Sequence, residues 1–191
     1  MKMLTIIPLL AVTALSFGQD KARFGGPSYA ADPALTVTAS LVKAGGGENF
    51  SIATALTSMV GADTVKAEIG SLTKRYGEKR VNQFVAIFDF AVKDALKIAT
   101  KAGVALPEAN LEGKELATTL VKAGMDKDGT FWTCFLLDKA VSHNIHVAVM
   151  ADIDQKFGAA ADEDYHRISN QAHYDLGKAL GVEGIKRAAL H

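Results

Sequence analysis

The sequence predicts an all-α protein, a helical bundle of four main helices preceded by shorter amino-terminal ones. Three observations carry this. Apolar residues recur at helical spacing from about residue 50 to residue 180. Gly, Asn-containing or Asp-Pro punctuation separates the periodic runs at helix-sized intervals. No stretch shows the period-two alternation of a half-buried strand, and no internal repeat is present.

Taken in order, Asp32-Pro33 supplies an N-cap followed by proline at the first helical position, and Gly45-Gly46-Gly47 stops that helix after about Lys43. Phe50, Ala53, Leu56, Met59 and Val60 then repeat at helical spacing until Gly61. Residues 64–76 carry a narrower stripe of Val65, Ile69 and Leu72, suited to a helix lying on the surface. The next run, 78–102, is wider: Val81, Phe84, Val85, Phe88, Val92, Ala95 and Ala99 make it the expected central helix, capped by Gly103. Asp89 is the acidic residue expected nearest its apolar face. Asn110 is placed to cap a helix through Val121 that Gly124 closes.

Two long helices are expected to finish the domain. The first, 130–157, shows Phe131, Trp132, Phe135, Val147, Met150, Ile153 and Phe157 on one face; Asp152 and Asp154 read as solvated charges near its end. The second, 162–180, shows Tyr165, Ile168, Ala172, Leu176 and Ala179 and ends at Gly181.

The amino terminus reads differently. Lys2 is followed by an apolar run from Met3 to Phe17 and then by small and polar residues, the pattern of a secretory signal peptide. Residues 1–30 are therefore assigned to a signal peptide and flexible leader, with cleavage near residue 18 or 30, and 31–191 to a single helical domain. The expected location is the periplasm or the extracellular medium, with no stable membrane span once the signal is removed. Cys134, the one cysteine, allows no intrachain disulfide and reads as a buried thiol in an apolar helix. Basic and acidic residues balance at 21 each, so no long-range field favours nucleic acid, whereas a homo-oligomer is compatible with the composition.

Four of the five histidines fall in residues 143–173. His143 and His146 lie three apart and share a helix face, and a tight turn near Gly158 would put His173 of the last helix opposite them. Three imidazoles at one level suit zinc, copper, nickel or iron. Met150, one turn beyond His146, is a candidate fourth ligand that would favour copper or haem, and His166 a candidate group behind the ligands. The competing expectation is that these are core histidines hydrogen-bonded to Ser142, Ser169, Asn170 or the backbone. Glu163 and His166 have the E-x-x-H spacing of di-iron bundles, but no second such pair exists in the chain. His-Glu-x-x-His, Cys-x-x-Cys-His and a phosphate-binding glycine loop are all absent from the sequence.

The order and texture of residues 50–180 resemble the ferritin-like four-helix-bundle proteins of unknown function that many bacteria export. The resemblance rests on the helix ending Ala99-Thr100-Lys101-Ala102-Gly103, the connector Leu106-Pro107, a later helix with His143 and a final one with His173. It implies up-and-down packing and export, and assigns no catalytic residue; His146 and His166 are additions to the pattern. Two functions are expected. One is an exported binding or stress-related bundle with a histidine-lined metal or haem site between the last two long helices. The other is a structural or protein-interaction bundle whose histidines are core or surface residues.

Overall fold

Helix-forming runs separated by single glycines let the chain turn sharply at several helix junctions. The structure, a computed structural model, describes residues 33–125 and 143–181. Within them the chain forms seven α-helices and no strand: α1 Pro33–Ala44, α2 Ile52–Val60, α3 Ala62–Tyr76, α4 Glu78–Lys101, α5 Gly113–Met125, α6 His143–Phe157 and α7 Ala159–Ala179. A short 3-10 turn, Gly47–Asn49, joins α1 to α2. The first half of the expected 130–157 helix, with Cys134, lies outside the described residues, as does the amino-terminal region 1–32. No described helix is long and apolar enough to cross a membrane.

Two junctions show how the corners are made. Gly77 (φ 88, ψ 147) and Gly158 (φ 87, ψ 151) are each the only residue between two helices. This backbone region is essentially glycine-only. The Gly77 N–H donates the last bond of α3 to Thr73 O, and its carbonyl accepts the first bond of α4 from Val81. Gly158 does the same between Asp154 and Asp162. One residue thus serves as C-cap and N-cap together, so α7 begins at Ala159 rather than at the expected Asp162. Ala159-Ala160-Ala161, good helix formers, fill the difference.

The expected central role of 78–102 is met. At 24 residues α4 is about 36 Å long, and it packs against α1, α2, α3, α6 and α7. Its Phe84 and Phe88 rings meet edge-on at 6.1 Å, and both approach the fully buried Tyr165 of α7, at 5.8 and 6.4 Å. Such pairs contribute roughly 0.5–1.5 kcal/mol each beyond the area they bury. Arg80 at the start of α4 makes a two-pronged ion pair with Asp164 of α7, the Nε contact being 2.6 Å, which fixes the register of the two helices. Asp89 is half-buried, and its Oδ1 accepts the Ile52 N–H at 2.7 Å. It satisfies an orphan donor at the start of α2, where Ser51 makes no side-chain cap.

Two expectations change. α5 starts at Gly113 rather than just after Asn110, and runs through Gly124 to Met125. On α6 the core-facing residues are Ile145, Val149 and Ile153, all buried, with Met150 and Phe157 packed at the edge. Val147, expected on the apolar face, is 53% exposed. Its neighbours two positions to either side claim the inward direction, so the helix is rotated from the expected setting.

Candidate functional site

The apolar stripes of α2, α3 and α7 do not close completely on one another or on α4. They enclose a cavity of about 310 Å³ with Ile52, Leu56 and Val60 on one wall, Leu72 and Phe88 behind and Leu176 opposite. Its polar elements are few. Among the described residues, Glu68 of α3 and Asp175 of α7 are its two acidic lining residues, and no Lys, Arg or His lines it. Few convergent polar groups in an otherwise apolar hollow is the usual make-up of a small-molecule site.

The sequence puts both carboxyls there by a simple rule. Glu68 lies three residues after Val65 and four before Leu72, so it sits within the apolar stripe of α3. Asp175 lies three after Ala172 and four before Ala179, the equivalent position on α7. Burial, and after it the nearby Asp175 carboxylate, push Glu68 up to about 7. Glu68 Oε1 is inaccessible to solvent and has no hydrogen-bond partner among the described residues. Asp175 is held differently: its Oδ2 accepts Gln171 Nε2–H at 2.6 Å, and Gln171 Oε1 accepts Arg75 Nη1–H at 2.7 Å. Arg75 of α3 is thus linked to Asp175 through the Gln171 amide rather than by a direct contact.

A second group of carboxyls joins α4 to α6. Asp94, only 5% exposed, faces Asp152 of α6 across a carboxyl–carboxyl hydrogen bond. Burial first, then that bond and the charge of Asp152, raise Asp94 to about 6, against the opposing pull of Lys97 and Lys101. Lys97 Nζ stands 3.9 Å from Asp94 Oδ1. Asp152 is thus half-buried and paired, not the solvated charge expected. A surface recess beside the pair is lined by Asp89, Lys93, Lys97 and Lys156 among others, carboxylates and ammonium groups together.

The histidines take separate directions where they are described. His173 is buried on α7, and its Nε2–H donates to Val121 O of α5 at 2.9 Å. Its described hydrogen bond is therefore to α5. Burial, partly offset by this bond, holds its pKa below the ordinary imidazole value. His166, half-buried, turns back on its own helix: its Nδ1 is 2.9 Å from Asp162 O and 3.3 Å from Asp162 Oδ1, with its ring edge-on to Tyr165 at 5.4 Å. His143 and His146 fall on α6, and their side chains lie outside the described residues. Met150 packs at the edge of the core. Among the described residues no three His, Cys, Asp or Glu side chains are grouped to hold a metal. Comparison of the chain with protein-family models, with curated proteins and with solved structures finds no match.

Proposed function

We propose that this protein is a small-molecule binding bundle whose ligand enters the cavity between α2, α3, α4 and α7. The observation that carries the reading is an apolar hollow of about 310 Å³ holding a carboxyl oxygen, Glu68 Oε1, that is buried without a hydrogen-bond partner among the described residues. A buried acceptor left unmade costs roughly 1–3 kcal/mol, and a ligand donor would recover part of it. The apolar walls would supply most of the affinity and the carboxyls the orientation. The apolar run at residues 3–17 supports export, which would make this a binding protein acting outside the cytoplasm.

The test is titration with the neutral fluorescent dye 2-naphthol, small enough for the cavity, whose emission changes on leaving water for an apolar site. Saturable binding at one site per chain is expected, weakened at least tenfold by Leu56→Trp or Val60→Trp, which fill the cavity from α2. Binding that neither substitution alters, in folded variants, would place the dye elsewhere and sink the reading.

A further inference from the structure

Within the ligand-binding reading, on which this step rests, the lining chemistry narrows the ligand class. We infer that the cavity takes an aliphatic or arylalkyl amine, an apolar body ending in one ammonium group seated against Glu68 and Asp175. Three features of the site lead there. Both ionisable side chains that line it are acidic, and they come from facing helices, α3 and α7. The wall itself carries no compensating cation, and Arg75 of α3 is directed to Gln171 Oε1. Apart from the hydroxyls of Thr64 and Ser71, the remainder of the lining is aliphatic or aromatic, with the Phe84 and Phe88 rings among it, and so matches a hydrocarbon body rather than a sugar or a phosphate.

An ammonium group resolves what the empty hollow leaves unbalanced. It donates three hydrogen bonds, enough to reach the unpartnered Glu68 Oε1 and a carboxylate oxygen of Asp175. It also relieves the repulsion between the two carboxyls, which is part of what keeps Glu68 protonated near neutrality. Glu68 then gives up its proton as the ligand enters. An anionic ligand meets the opposite situation, a low-dielectric wall with two acids and no cation. An apolar cavity of about 150 Å³ takes benzene, so one of about 310 Å³ has room for a body roughly twice that size, a phenyl ring with a short chain.

The experiment is calorimetric titration of the purified chain with phenylbutylamine, its neutral isostere phenylbutanol and the anion phenylbutyrate. The expected order is amine at least tenfold tighter than alcohol, with the carboxylate not bound. Glu68→Gln, which keeps the shape of the side chain, should remove the preference for amine while leaving phenylbutanol binding within about twofold. Asp175→Asn, made in parallel, should reduce the amine preference in the same direction and serves if the first variant does not fold. Alcohol bound as tightly as amine would overturn the amine assignment and leave the cavity reading standing, as would a preference that survives both substitutions in folded protein. Failure of all three compounds to bind, together with failure of the neutral dye, would overturn both.

Discussion

Glu68 and Asp94 are two carboxyls raised by the same primary cause, loss of water, in two regions of one bundle. They differ in what surrounds them. Asp94 sits where α4 meets α6, lies beside Asp152 and has Lys97 close by. Its charge balance comes from the protein, a second acid and a nearby cation, although its Oδ2 has no hydrogen-bond partner among the described residues. Glu68 sits where α3 meets α7, beside a hollow that brings no cation of its own. A raised carboxyl therefore marks a binding site only when the groups that would balance it are missing. In the packed region the same shift is an internal matter of stability, and in the hollow one it is an opening for something else.

A third buried titratable group tests whether burial alone explains both. Water loss acts on His173 with the opposite sign, holding its pKa below the ordinary 6.5. In the folded protein this imidazole resists protonation while in the unfolded chain it accepts a proton freely. Its contribution to stability is therefore present above about pH 6.5 and is lost as pH falls below that. For Glu68 and Asp94 the folded protein holds the proton more tightly, so their contributions are full below the ordinary carboxyl range and fade as pH rises through about 6 to 7. The largest expected effect belongs to His173→Ala, which removes a buried ring and leaves Val121 O without its donor. It should cost about 3 kcal/mol near neutral pH, measured by urea denaturation. The variant should also lose the acid-side decline of the wild type, so that its stability only falls as pH rises from about 4 to 8. Retention of that decline would assign it to another group.

Next in size is Asp94→Asn. It removes the cost of ionising a group that is 5% exposed beside another carboxyl, and its amide can still donate to Asp152. A gain of about 2 kcal/mol near pH 8 is expected, shrinking to within about 0.5 kcal/mol near pH 4. Glu68→Gln should behave alike in sign and be smaller, about 1 kcal/mol near pH 8, because the residue as a whole is only half-buried. The contrast sharpens with phenylbutylamine present. Saturating amine should stabilise wild type more than the Glu68→Gln variant, while Asp94→Asn should respond to it as wild type does. An amine response lost in Asp94→Asn would mean that the two regions are coupled and the comparison drawn too sharply.

How much of this was legible in the chain follows from what each feature depends on. The all-α class, the central helix and most helix limits are written in local periodicity and in glycines, which act over a few residues. The cavity carboxyls had a signal that apolar pattern reading passes over. At 65, 68, 69 and 72, and again at 172, 175, 176 and 179, an acid occupies a stripe position. Helix rotation was less legible: Val147 fits an inward stripe on paper, yet the stripe of Ile145, Val149 and Ile153 packs against the core. The partner of His173 was not legible. Val121 lies 52 residues away on α5, and the register between those helices is set by packing rather than by the length of the Gly158 turn.

The smallest effect tests whether the hollow region is also the looser one. Gly70 lies inside α3, two residues from Glu68, and a methyl group there would meet nothing within 4 Å. Glycine in a helix interior is worth roughly 0.5–1 kcal/mol less than alanine, chiefly through the freedom of the unfolded chain. Gly70→Ala should therefore stabilise the protein by about 0.5–1 kcal/mol and leave the cavity walls in place. If α3 must bend for a ligand to pass between it and α7, the same substitution should slow amine entry several-fold in stopped-flow fluorescence without changing the affinity, since entry and exit slow together. Unchanged rates with the stability gain intact would mean that the cavity admits its ligand with α3 rigid, through the gap that already separates the two helices.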